Sequence, residues 1–170
     1  MSEFDDILSA EQRDQIIPWL EQAYPEEGCG IVLRTADGGV EVKLLENLAN
    51  KYHALDPEMY PRDARTYFVV NPAEFIRAER RGDTVAIVFH SHADVGDYFS
   101  DEDVAAATMP KLEPEQPTEP SHPGVDYLVV SVRDGVADHG TVFRYSPDTE
   151  GFANVHAFGI DSGTYTSESV

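Results

Sequence analysis

Two histidines one residue apart, then a serine and an aspartate at fixed intervals, are the side chains in this sequence best suited to chemistry: His90-Ser91-His92, seven residues, Ser100, and Asp103. The segment before them, Thr84-Val85-Ala86-Ile87-Val88-Phe89, is apolar and β-branched, as expected of a strand buried on both faces. If that strand runs on through His92, both imidazoles project to one face and Ser91 to the other. Two residues span about 6.5 Å of strand, so both rings can converge on one ion with bonds of about 2.0 Å. Ser100-Asp101-Glu102-Asp103 then leads into Val104-Ala105-Ala106-Ala107, which reads as a capped helix start. A carboxylate in that first turn can reach back as a third ligand. Two histidines, one acid and an open fourth position holding water are the ligand count of a catalytic zinc. A plain helix cap explains Ser100 and Asp103 but leaves the histidines unexplained, and with this composition the full pattern arises by chance about once in a thousand sequences.

The same spacing, H-x-H, seven residues, S-x-x-D, resembles the signature of the JAMM (MPN-plus) zinc metalloproteases. Upstream, Tyr24-Pro25-Glu26-Glu27-Gly28-Cys29-Gly30 looks like the Pro-x-Glu-x-Cys-Gly stretch of the bacterial members, entering a strand. The resemblance implies His90, His92 and Asp103 as zinc ligands, Glu27 as the general base acting on water, and Ser100 as a residue that helps hold the oxyanion. It spans roughly Leu8 to Tyr145, and one departure is Ala93, where many members have proline. The implied fold is a three-layer α/β domain, a mixed central sheet flanked by helices, similar to the cytidine deaminase-like core. The implied activity is hydrolysis of an amide bond at the C-terminus of a ubiquitin-like or sulfur-carrier protein with a Gly-Gly-type end, the partner expected here. Leu55-Asp56-Pro57 and Tyr60-Pro61-Arg62 look like the bacterial, stand-alone, sulfur-carrier-associated branch.

Other chemistries lack their residues. A zinc deaminase needs H-x-E with P-C-x-x-C, and there is one cysteine; H-E-x-x-H, P-loop and dinucleotide glycine patterns are absent. Two alternatives stay open: a cysteine hydrolase using Cys29, and a catalytically silent binding module, since this fold also serves as a scaffold.

Composition bounds the remainder. The length of 170 residues fits one domain with a real core, and 12 basic against 32 acidic residues give a net charge of −20. Such a surface repels phosphate backbones and anionic bilayers, so nucleic acid and membrane are not expected partners; a basic protein or a saline cytosol suits it. One cysteine precludes an internal disulfide. No apolar run approaches membrane-spanning length and the acidic start is unlike a signal peptide, so a cytoplasmic protein is expected.

The elements that must position the motif follow from pattern. Ser9-Ala10-Glu11-Gln12 opens a first helix carrying Ile16, Ile17 and Leu20, with a kink or late start expected at Pro18. Gly28–Leu33 and Val40–Leu45 flank Asp37-Gly38-Gly39 as a hairpin. Residues 46–65 read as a polar surface connection in which His53 is an ordinary loop residue, before a strand at Thr66–Val70. Asn71-Pro72 starts a helix with Phe75, Ile76 and Ala78 inward and Arg77, Arg80 and Arg81 toward its end. Residues 109–124 are a Pro-rich acidic exposed loop, 126–132 and 140–145 are strands about an Arg133-Asp134-Gly135 turn, and a polar tail frays from about 161.

Overall fold

The computed structural model describes residues 2–170 and contains one seven-stranded sheet in the order β2-β1-β3-β4-β5-β6-β7. The strands are β1 (Cys29–Arg34), β2 (Val40–Leu45), β3 (Thr84–Ala93), β4 (Asp126–Arg133), β5 (Val136–Ser146), β6 (Gly151–Asp161) and β7 (Thr164–Glu168). All neighbours pair antiparallel except β3 and β4, which are parallel. A parallel pair needs a crossover, and here it carries helix α4 (Asp101–Ala107) together with the Pro-rich loop. The sheet is therefore mixed, as expected.

Helices cover both faces. On one, α1 (Ala10–Ala23) buries Ile16, Ile17 and Leu20 against Val32, Phe89, Leu128 and Phe158. Ile16 and Leu20 are fully buried, worth about 1.5–3 kcal/mol each relative to exposure. On the other, α3 (Ala73–Arg81) and α4 bring Ala78 and Ala107 onto Ile31, Val88 and Tyr127. Helix α1 begins at Ala10 and holds Pro18 in its interior, so of the two expected outcomes the late start does not occur. On α3, Ala78 is buried as expected, whereas Ile76, also expected inward, is half exposed.

Pairing keys β1 to β3. Cys29 lies opposite His90 and Gly30 opposite Phe89. A methyl group added at Gly30 would stand 2.2 Å from the Phe89 ring and 2.3 Å from the Lys43 carbonyl oxygen. Only glycine fits beneath that ring.

Three expectations are corrected. Residues 66–70 form no strand: β1 is already flanked by β2 and β3, so the segment lies over the sheet, with Val69 N–H donating to Asn47 Oδ1 (3.0 Å) instead of to a neighbouring strand. The polar stretch 46–65 is not loop throughout, because Ala49–Leu55 form α2, with His53 in it. The C-terminus does not fray from about 161: β6 and β7 make a hairpin through positive-φ Ser162 and Gly163. Among the described residues no helix is long and apolar enough to cross a membrane.

Candidate metal centre

Burial and alternation place the two histidines. Along β3, Ile87 and Phe89 pack under α1 while Val88 faces α3 and α4, so His90 and His92 share the Val88 face and Ser91 turns away. Ser91 holds the strand to β1: its Oγ accepts from the Gly28 N–H at 2.8 Å, and its own N–H donates to the Gly28 carbonyl at 3.0 Å. His90 is fully buried and His92 nearly so. Their Nε2 atoms stand 3.2 Å apart.

Helix α4 brings the acid. Ser100 is its N-cap in a reciprocal capping box, with Ser100 Oγ accepting from Asp103 N–H at 3.1 Å and Asp103 Oδ2 accepting from Ser100 N–H at 2.9 Å. The same carboxylate faces the imidazoles, with Oδ1 3.1 Å from His90 Nε2 and Oδ2 3.2 Å from His92 Nε2. Cap and cluster are thus one arrangement of Asp103. Glu27, two residues before β1, places Oε1 3.8 Å from His92 Nε2, farther out than Asp103. Donor atoms of Glu27, His90 and His92 all lie within 4.8 Å of one another, so this buried group could hold a metal ion.

The donor set fits a cation on its own chemistry. His92 Nδ1 stands 2.8 Å from the Gly96 carbonyl, to which it must donate, so in the neutral ring Nε2 is a bare lone pair. That lone pair faces the Asp103 carboxylate at 3.2 Å, two acceptors that need a proton or a cation between them, and the buried Nδ1 of His90 has no hydrogen-bond partner. A tetrahedral ion with bonds of about 2.0 Å separates its ligands by about 3.3 Å, close to the spacings found.

Electrostatics agree. Burial pushes the Glu27 carboxyl up to about 8, although His92 pulls the other way. Burial would also raise Asp103, but the adjacent His90 and His92 and the Ser100 N–H hold it well below the usual carboxylate range. Burial lowers His90. His92 is raised, because Asp103, Glu27 and the Gly96 carbonyl outweigh its burial. Cys29 is fully buried, and burial, then the charge of Glu27, pushes its thiol up to about 12. Its Sγ faces the Leu45 carbonyl at 3.8 Å, a buried setting without the cationic or basic neighbour that activates a thiol nucleophile.

Other residues that hold the site carried no motif. The Asn47 side chain donates to the carbonyls of Glu27 and Tyr67, both at 2.9 Å, and accepts from the N–H groups of Ala49 (2.9 Å) and Val69 (3.0 Å). Asn50 Oδ1 accepts from Ala64 N–H at 2.9 Å, and the Ala64 carbonyl accepts from Glu27 N–H at 2.7 Å. The segment without regular structure is therefore laced to the backbone of Glu27. Arg62, paired with Glu102 at 2.8 Å, places a positive charge that Glu27 senses. The sequence signal was slight: two asparagines beside a short helical run.

Among solved structures, a protein from Salinibacter ruber (strain DSM 13855) is similar at 29% identity, with a TM-score of 0.50, covering 84% of this chain and 83% of that one. A protein from Desulfitobacterium hafniense is similar at 20% identity and a TM-score of 0.44, covering 93% of this chain and 86% of that one. No curated protein matches the chain. The family described as prokaryotic homologs of the JAB domain matches residues 9–140, a span that holds Glu27, both histidines, Ser100 and Asp103. On that match, and in keeping with the JAMM resemblance of the motif, the chain belongs to the prokaryotic homologs of the JAB domain.

Proposed function

We propose that the protein is a zinc-dependent peptidase that hydrolyses an amide bond at the C-terminus of a ubiquitin-like or sulfur-carrier protein, in the cytoplasm. The observation that carries this reading is the convergence of His90 Nε2, His92 Nε2 and the Asp103 carboxylate at 3.1–3.2 Å, with the Glu27 carboxylate 3.8 Å away. His90, His92 and Asp103 would hold the ion. Zinc there supplies Lewis acidity, making water a nucleophile near neutral pH and polarising the scissile carbonyl.

The chain's own groups do the rest. The Gly96 carbonyl fixes the tautomer of His92 and the Ser100 N–H orients Asp103, the kind of outer support that sharpens a ligand set. Glu27, buried with its Oε1 3.8 Å from His92 Nε2, is placed to take a proton from water at its carboxylate oxygen. It then delivers that proton to the leaving nitrogen as the C–N bond breaks. Ser100 Oγ accepts from Asp103 N–H, which leaves its own proton to donate to the oxyanion.

The test compares Glu27→Gln, Cys29→Ser and His92→Ala on ubiquitin-like proteins carrying C-terminal extensions, with product masses as readout. Glu27→Gln is expected to keep its metal and fold and lose about 10²–10⁴-fold in rate. Cys29→Ser should keep most activity. His92→Ala should lose the roughly one equivalent of zinc that the wild type holds. An active Glu27→Gln, or zinc-free folded wild type, overturns the mechanism; inactivity of every form against a broad substrate set moves the protein to the silent scaffold.

A further inference from the structure

The face of the sheet that carries the histidines holds more space than their chemistry occupies. Beside Asp103 lies a cavity of about 230 Å³ walled by Phe68, Phe75, Phe99 and Tyr127, with Ala106 and Ala107 of α4 closing one side. The walls are fixed by ring contacts. Phe68 stacks on His90 with centroids 4.1 Å apart, Phe75 stacks on His122 at 4.1 Å, and Phe99 stands 5.4 Å from Tyr127.

Polarity, filling and size narrow what this space accepts. Asp103 touches it, but that carboxylate is already engaged by both imidazoles and the Ser100 N–H, so the interior offers apolar contact and little else. The Pro-rich loop beside it does not fill it: Leu112 is 88% and Met109 52% exposed, and the loop contributes only His122 to the wall. Small-molecule and cofactor sites run to about 300–1,000 Å³. A space of 230 Å³ falls short of that and suits one bulky side chain.

We propose that this cavity is a specificity pocket that takes one bulky apolar side chain, of the leucine, methionine or phenylalanine kind, from a substrate residue close to the scissile amide. That identification of the occupant rests on the peptidase reading above; the apolar class of ligand rests on the cavity itself. The pocket wall and the ligand set share Asp103, and Phe68 lies flat on the ring of His90. A side chain seated there fixes the adjacent backbone against the groups that act on it, so its loss raises KM more than it lowers kcat. Hydrophobic pockets discriminate by roughly 10–200-fold per methylene-sized difference, and an effect of that order is expected.

The first arm of the test needs no peptidase activity. N-acetyl-phenylalanine amide is titrated into the zinc-loaded protein and followed by NMR at the alanine methyls, with N-acetyl-glycine amide as control. Saturable shifts at Ala106 and Ala107 with the phenylalanine probe alone are expected, and Ala106→Phe should abolish them. Phe75→Ala guards against a variant that fails to fold; it enlarges the pocket and should tighten binding of N-acetyl-tryptophan amide. Absence of probe shifts in the wild type, or identical shifts in a folded Ala106→Phe, overturns the pocket. In the second arm, residues flanking the cleaved bond of an extended ubiquitin-like substrate are replaced by glycine one at a time. One position should raise KM at least tenfold in the wild type and not in Ala106→Phe. Efficient cleavage with no such position overturns the pocket and spares the peptidase, whereas probe binding without cleavage overturns the peptidase and spares the pocket's apolar ligand class.

Discussion

The two faces of the sheet are built to different standards. Under α1, side chains such as Leu8, Ile16, Val32, Phe89 and Leu128 are wholly buried in one apolar cluster. The face under α3 and α4 holds buried histidines and acids, an unfilled cavity and a covering segment of irregular backbone tied down by asparagines. Close packing of the first face supplies the stability that lets the second keep charge and space where a core would otherwise be. Buried carboxylates and open volume both cost free energy.

The comparison is broken most severely from the α1 side. Phe89→Ala should destabilise by about 3–5 kcal/mol, the usual cost of emptying a core aromatic, read as a drop in the denaturation midpoint. A loss well below that would mean that the α1 face is not the stabilising one. On the other face the expected cost is smaller and its functional share larger. Asn47→Ala strips partners from two carbonyls and two N–H groups in a partly buried place, and at about 1–3 kcal/mol for an unsatisfied buried group a net loss of about 2 kcal/mol is expected. Activity of the folded protein should fall as well, since the Glu27 carbonyl is one of those groups. Asn47→Asp, which keeps the oxygen that accepts from the Ala49 and Val69 N–H groups, should recover part of the stability.

The smallest effect sharpens the comparison at its edge. His139 on β5 joins Asp97, in the loop after β3, to Glu168 of β7 (2.8 Å). Burial would lower its pKa, but those two carboxylates raise it above the ordinary 6.5. A raised folded pKa means that the bonus is fully present below the unfolded value and is lost as pH rises through the folded one. Wild type should therefore lose a little stability on going from pH 6 toward pH 8 relative to His139→Gln, measured by thermal denaturation. Equal slopes would remove the staple.

Legibility in the sequence followed the same division. The histidine strand, the hairpin and the capped helix were readable because one physical rule fixes each: alternation for His90 and His92, a positive-φ glycine turn for Asp37-Gly38-Gly39, reciprocal capping for Ser100 and Asp103. The mixed sheet between two helix layers followed from the family resemblance. Residues 66–70 misled because β-branched and aromatic content marks a surface that packs, not one that pairs, and Phe68 packs on an imidazole instead. Thr164–Glu168 misled in the opposite direction: an edge strand with one neighbour and mostly exposed side chains has the composition of a tail. The support given by Asn47 and Asn50 was invisible because an amide that bonds backbone far away in sequence has no periodicity.

Gly30 has a consequence for how this protein can change over time. The Phe89 ring occupies the place where any other residue at 30 would put its first carbon, and the opposite pairing of Cys29 with His90 is fixed by the same register. A slip by one residue would turn the histidines to the α1 side and drive a side chain into the ring. The separation between Glu27 and the histidines is thus set like a gauge block by strand register alone. Position 30 is closed to every side chain twice over, by the Phe89 ring and by the Lys43 carbonyl of β2, so a smaller residue at 89 would not open it.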